Sequence, residues 1–298
     1  MRFAVGTDTH KWKIAMSEQI QSAMKNWSIE ITPSSGQKID DFRRILPLGT
    51  TVSVTAIPGV DLDLMRSTVK QLSAQEMNPV PHIAARGVAS EHALEALLES
   101  YREAMVTEVL VIAGGYKTPV GEFKSSIEVL ETGLLQALGI QRVGVAGHPE
   151  GSPDIPAEEL KRALKRKNEL AGESGLKIYI ETQFCFDAQA ILRWEAQIRE
   201  AGNQLPIRIG LAGPAQLKTL IHFALISGVG PSLQFLKKQA LNVTKLMTIR
   251  DPYDLIADLA PHFGPQSSSC FQSIHLYPFG DFSTTARFAN QLATFGLR

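Results

Sequence analysis

Residues 143–183 read VGVAGHPEGSPDIPAEELKRALKRKNELAGESGLKIYIETQ, and this single stretch carries a strand, a loop, a helix and a second strand. Val143 to Ala146 is a short β-rich run. From Pro156 to Ala171 the pattern turns helical, with Leu160, Ala163, Leu164, Lys167 and Ala171 on one stripe, and Gly172 stands where that helix should stop. Lys177 to Gln183 then returns to strand. Strand, crossover helix and strand make the unit of a parallel sheet.

The same unit repeats in both directions. Further strands are expected at Trp27 to Thr32, Thr51 to Ile57, Pro79 to Ala84, Glu108 to Ala113, Ile207 to Leu211 and Ser273 to Tyr277, which brings the total to eight. An extra helix, Lys13 to Lys25, precedes the first strand, and another, Pro231 to Asn242, lies between the seventh and eighth. Asp251-Pro252 and Gly213-Pro214 read as helix starts. Eight βα units without a long linker favour a single (β/α)8 TIM barrel over residues 1–298 rather than a doubly wound sheet. No glycine-rich dinucleotide fingerprint follows any strand, since Ala113-Gly114-Gly115-Tyr116 is not G-x-G-x-x-G. A redox cofactor must then rest on barrel loops. Function in such a barrel sits at the carboxyl ends of the strands, where Glu30, Thr55, His82, Tyr116, His148, Glu150, Gln183 and Asp187 fall.

Composition narrows the classes. Thirty basic residues balance thirty acidic ones, so the chain lacks the basic surplus that nucleic acid or an anionic membrane requires. The basic cluster at Lys161, Arg162, Lys165, Arg166 and Lys167 reads as a solvated helix face. Cys185 and Cys270 are the two cysteines and imply no disulfide framework. Met1 to Ser28 lacks the apolar core of a signal peptide, and no apolar run reaches membrane-spanning length, so a cytoplasmic protein is expected. The histidines include no H-x-x-x-H pair, and no metal site is expected.

Six ordered stretches resemble the catalytic domain of methylenetetrahydrofolate reductases. They are Ser28-Ile29-Glu30-Ile31-Thr32-Pro33, Val52-Ser53-Val54-Thr55, Pro81-His82, the segment Val145 to Asp154, Leu164-Lys165-Arg166-Lys167, and Thr182-Gln183-Phe184-Cys185-Phe186-Asp187, with a weaker echo at Ile274-His275-Leu276-Tyr277. The resemblance implies a (β/α)8 barrel with FAD across its carboxyl face. Reduced by NADH or NADPH, that flavin passes a hydride to 5,10-methylenetetrahydrofolate and makes the 5-methyl form. The sequence does not choose between the two nicotinamides. Tetrahydrofolate derivatives are the implied partners, and self-association through outer helices is compatible with such barrels.

Each matched residue takes a role from the resemblance. Glu30 is the match for the acid that protonates a folate nitrogen and opens the methylene bridge to an electrophilic iminium. Burial would raise its pKa. Gln183 would contact the pterin edge and Phe223 would pack on the stacked ligands. Thr55, His82, Gly115, Tyr116 and His148 fall at the flavin, with Arg166 and Lys167 near its phosphates. Asp187 reads instead as the N-cap of the next helix.

The departures cluster on the cofactor side. Gly114, Gly115 and Tyr116 stand where the family has Arg-Gly-Asp, so a cation and a carboxylate are missing, and Ser152 replaces a histidine. The tyrosine would alter the redox poise and could fill part of the flavin site. Two further readings therefore stay open: a folate-dependent methyltransferase on the same barrel, and a non-catalytic folate-binding partner subunit.

Overall fold

The computed structural model describes residues 6–59, 61–239 and 246–297. Eight strands close into a parallel barrel: β1 (Ser28–Ile31), β2 (Thr51–Val54), β3 (Asn78–Ala84), β4 (Glu108–Ile112), β5 (Arg142–Gly147), β6 (Lys177–Thr182), β7 (Ile207–Ala212) and β8 (Phe271–Tyr277). Each pairs with its neighbours in sequence, and β8 closes the ring on β1 through Ser28 opposite His275. Helix α1 (Gly6–Ala23) precedes the barrel. The outer layer consists of α2 (Leu62–Ala74), α3 (Glu91–Glu103), α4 (Ser126–Glu131), α5 (Ala157–Glu173), α6 (Ala188–Glu200), α7 (Leu217–Ile226), α8 (Gly230–Gln239), α9 (Tyr253–Leu259) and α10 (Phe282–Phe295). The expected (β/α)8 barrel with an added N-terminal helix is the observed fold.

Strand alternation divides the core in two. One face of the strands carries Ile29, Val52, Ile83, Val109, Val143, Ile180, Ile209 and Ile274, all buried in the apolar core. Each such side chain contributes roughly 1.5–3 kcal/mol relative to exposure. The face turned into the barrel is different. Branched aliphatic residues ordinarily fill that space, but here Ser28, Glu30, His82, Tyr179, Glu181, Arg208 and His275 meet one another across it. Two glycines make room for the larger rings: a Cβ on Gly144 would lie 2.7 Å from the Tyr179 hydroxyl, and one on Gly210 would lie 2.6 Å from the Tyr277 ring.

Several element ends differ from the sequence reading. Gly172 lies inside α5, which ends where the Ser174 N–H bonds the Leu170 carbonyl and Gly175 adopts a left-handed φ of 73°. A cap needs that backbone shape, and position 175 supplies it. Gly213-Pro214 does not start a helix. The Gly213 N–H bonds the Tyr277 carbonyl at 2.9 Å, Ala215–Gln216 pairs antiparallel with Ile249–Arg250, and α7 begins at Leu217. The second strand ends at Val54, well short of Ile57, which frees Thr55 to face the mouth. At Asp251-Pro252 the carboxylate accepts the Tyr253 N–H at 3.0 Å, one residue later than a first-turn proline implies. The helix expected over Pro231 to Asn242 is α8, and Asn242 itself lies outside the described residues. Among the described residues no helix is long and apolar enough to cross a membrane.

Candidate active site

At the carboxyl ends of the strands the barrel opens into a cavity of about 400 Å³. Glu30, His82, Glu181 and Tyr277 line its deep end, while Thr55, Gly115, His148, Gln183 and Arg86 line the walls. The strands deliver these groups directly. Glu30 is two residues on from Ser28 along β1, and Gln183 follows Thr182, the last residue of β6.

Glu30 sits where three strands converge, with 16% of its side chain exposed. One carboxylate oxygen is 3.6 Å from His82 Nε2 and 3.9 Å from His275 Nε2. Burial pushes its pKa up to about 8, a shift opposed by the Thr55 hydroxyl and reinforced by the negative charge of Glu181. Burial also pushes His82 down to about 4 and holds His275 well below its ordinary value. Near neutral pH the glutamic acid therefore carries a proton and both imidazoles are uncharged, so these contacts are not ion pairs. Both ring nitrogens of His82 and Nε2 of His275 lack hydrogen-bond partners. Buried polar atoms in that condition are costly, and those of His82 lie at the deep end of the cavity.

Gln183 is held by its backbone N–H to the Gly147 carbonyl at 2.8 Å, and its side-chain Oε1 accepts the N–H of Phe184 at 3.1 Å. Behind it stands an aromatic wall. Phe223 of α7 stacks on Phe279 with centroids 4.1 Å apart, and Phe184 meets Phe279 edge-on at 4.7 Å. Phe184 also packs edge-on against Phe186 and Tyr277. The Tyr277 hydroxyl donates to the Thr182 carbonyl at 2.9 Å, fixing the ring over Gly210.

The loop after β4 is stapled shut by the tyrosine that distinguishes this sequence. The Gly59 N–H donates to the Tyr116 hydroxyl at 3.1 Å, and the Tyr116 ring lies where a Cβ on Gly87 would be, 2.8 Å away. Arg86 donates through Nε to the Lys124 carbonyl at 2.8 Å. Loops after β2, β3 and β4 are thereby tied into one rim.

The two basic residues expected near cofactor phosphates have different surroundings. Arg166 pairs with Glu131, Glu169 and Glu173 at 2.8, 3.3 and 3.0 Å. Lys167 is 7% exposed, and its ammonium reaches the Ala146 carbonyl at 3.4 Å. It borders a cavity of about 370 Å³ beside Leu160, Leu164 and Trp194, which shares Ala146, Gly147, His148 and Gly151 with the mouth. Burial lowers Lys167 to about 8, and burial with Lys167 nearby lowers His148 to about 4. Thr55, His82, Gly115 and His148 could flank a planar ring at the mouth. A tightly held FAD also needs cations or free N–H groups for its diphosphate; Arg166 is taken up by three carboxylates, while Lys167 is a buried cation beside His148, a wall residue of the mouth.

Glu150 and Asp187 take structural positions. Glu150 accepts the Ser232 N–H and hydroxyl at 3.2 and 2.7 Å, fastening the loop after β5 to α8, and Asp187 caps α6. Burial pushes the neighbouring Cys185 thiol up to about 12, so it is unreactive. Among the described residues no group of three His, Cys, Asp or Glu side chains is placed to hold a metal ion.

The sequence assigns no role to Glu181, Phe279 or Arg86, nor to His275 and Tyr277 beyond their place in the weaker family echo. A signal existed for two of them. Glu181 lies two residues before Gln183 and His275 two before Tyr277, so each shares a strand face with a residue at the mouth.

The fold and site together define a parallel (β/α)8 barrel with a buried glutamic acid at the carboxyl end of its strands, facing a cavity of about 400 Å³. The sequence profile of the methylenetetrahydrofolate reductase family matches residues 16–238, and the chain belongs to that family. Two curated relatives are similar over short stretches. Methylenetetrahydrofolate reductase 2 of Saccharomyces cerevisiae is 35% identical over 72 residues, 23% of this chain and 11% of that protein. Methylenetetrahydrofolate reductase 1 of Schizosaccharomyces pombe is 34% identical over 88 residues, 29% of this chain and 14% of that protein. The matches thus span a small part of either relative. An uncharacterised Clostridium thermocellum protein that binds two copies of 5-methyl-5,6,7,8-tetrahydrofolic acid shares the fold. Its TM-score is 0.53 at 12% identity, covering 92% of this chain and 96% of that one.

Proposed function

We propose that this protein interconverts 5,10-methylenetetrahydrofolate and 5-methyltetrahydrofolate by hydride transfer, with NADH or NADPH as the electron partner. Glu30 carries the reading: a carboxylic acid kept protonated to about pH 8 at the deep end of the mouth. In the reducing direction Glu30 protonates one nitrogen of the methylene bridge. The carbon–nitrogen bond breaks with its electron pair left on that nitrogen, and the other nitrogen forms an iminium with the methylene carbon. A hydride from the reduced nicotinamide adds to that carbon and gives the methyl group, while the nicotinamide is oxidised. The reverse sequence returns the proton to Glu30.

Gln183 supports the pterin assignment, because its amide both donates and accepts, as the edge of that ring requires. The aromatic wall of Phe223, Phe279 and Phe184 offers a surface for the folate's benzoyl ring. A nicotinamide that visits and leaves in each turnover needs less diphosphate binding than a resident flavin, which agrees with the engaged Arg166.

The experiment is NADH or NADPH oxidation by flavin-free protein with and without methylenetetrahydrofolate. Folate-dependent oxidation is expected from a colourless preparation. Stoichiometric flavin retained through desalting would overturn the direct-transfer reading. Methyl transfer to a thiol or corrinoid without nicotinamide oxidation would establish the methyltransferase, and folate binding with neither activity the partner subunit. A Gln183→Ala variant should lose about 1–3 kcal/mol of folate binding, a Kd raised roughly 10–100-fold by titration calorimetry. An unchanged Kd would remove Gln183 from the folate site.

A further inference from the structure

The interior of the barrel holds more charge than the reaction above uses. Counting from the amino end, Glu108 of β4 pairs with Arg142 of β5 and Arg208 of β7, each at 3.1 Å. Arg208 continues upward to Glu181 of β6 at 3.3 Å and donates to the Tyr179 hydroxyl at 3.0 Å while lying over that ring. Both partners are almost completely buried, with side-chain exposures of 5% and 1%. Above Glu181 sits His275 of β8. Its Nδ1 is 3.7 Å from Glu181 and 2.8 Å from the Ser28 hydroxyl, and its Nε2 is 3.9 Å from Glu30. One imidazole is therefore wedged between two carboxyl groups.

Charge balance assigns the proton. Glu30, Glu108 and Glu181 face two guanidinium groups, Arg142 and Arg208. His82 and His275 are held neutral by burial, and the Tyr179 and Tyr277 hydroxyls are held protonated. Both guanidiniums are engaged by Glu108 and Glu181; burial raises Glu181 as well, and the Arg208 guanidinium 3.3 Å away opposes that rise and favours its charged form. The carboxyl group without a cation is Glu30. A second negative charge close by makes ionisation there still less favourable, the like-charge effect seen wherever two carboxylates share a site.

We propose that Glu181 is a positioning residue for the reaction: paired with Arg208 and facing Glu30 across His275, it is the fixed charge that keeps the proton on Glu30 until the folate takes it. The inference rests on the reading of Glu30 as the acid. It adds that the acid's proton is set from below, by a buried charge pair, as well as by burial. Once Glu30 has given up its proton, the same repulsion favours rapid return of one.

The test is an infrared titration of ligand-free protein, following the protonated carboxyl C=O band that disappears in Glu30→Gln. In the unmodified protein that band should persist to about pH 8. In Glu181→Gln its midpoint should fall by about one pH unit, a tenfold smaller acid fraction above the midpoint, and the alkaline limb of kcat/KM should move with it. A merely structural role would lower stability without moving the midpoint. An unmoved midpoint in folded Glu181→Gln overturns the proposal. Should that variant not fold, Glu181→Gln/Arg208→Gln carries the same measurement; a smaller fall is expected, because the lost cation acts in the opposite sense but from farther away than the lost carboxylate. Failure of the folate reading would show as absent turnover in every variant, yet leave the infrared shift readable.

Discussion

Replacing Glu30 with glutamine is expected to lower folate turnover by about 10²–10⁴-fold, the range a positioned general acid supplies. Folate affinity should stay within about threefold, because the amide keeps the shape and one donor of the protonated acid. The pH dependence follows from the same group. The acid form is the active one in the reducing direction, and its pKa is raised to about 8. Activity should be flat below that pH and fall roughly tenfold per unit above it. His82 and His275 titrate far lower and add no limb near neutrality. Steady-state kinetics from pH 6 to 10 read both effects. Near-normal turnover in the glutamine variant would mean that the acid lies elsewhere.

Arg208→Ala should cost about 3–5 kcal/mol of folding stability, the penalty for breaking a buried pair and leaving a carboxylate without its cation. Arg208 joins Glu181 to Glu108 and packs on the Tyr179 ring, so its loss exposes two acids to one another inside the barrel. Thermal unfolding should fall by roughly 10 °C. The paired variant Glu181→Met/Arg208→Met removes both charges at similar volume and should recover most of that loss, as apolar replacements of buried pairs do. Equal destabilisation in both variants would show that packing on Tyr179, rather than charge, is what Arg208 contributes.

These two residues illustrate what was legible beforehand. Glu30 and Gln183 lie in short motifs with a proline or a phenylalanine in a distinctive position, and strand alternation places both at the mouth. Glu181 and Arg208 lie in strands that read simply as β. Nothing local distinguishes an acid facing a partner 27 residues away from one facing solvent, because the pairing exists only once β6 and β7 are neighbours. Arg166 and Lys167, grouped together by their sequence, are separated by the tertiary structure. They lie side by side in a helix, where adjacent residues point about 100° apart. Arg166 reaches Glu131 on α4, while Lys167 turns under the strands toward Ala146.

The barrel itself was determined by the sequence alone. Period-two runs separated by helical stripes of suitable length admit few parallel arrangements, and eight such units close into a ring because the strands tilt and twist with a common hand. What the sequence could not determine was the protonation of the site. That depends on how far each carboxyl is from water and from the nearest cation, and both distances are set by side chains meeting across the barrel from β1, β6, β7 and β8. Electrostatic energy in a poorly solvated interior varies with separations of a few ångströms, and only the closed tertiary structure specifies them.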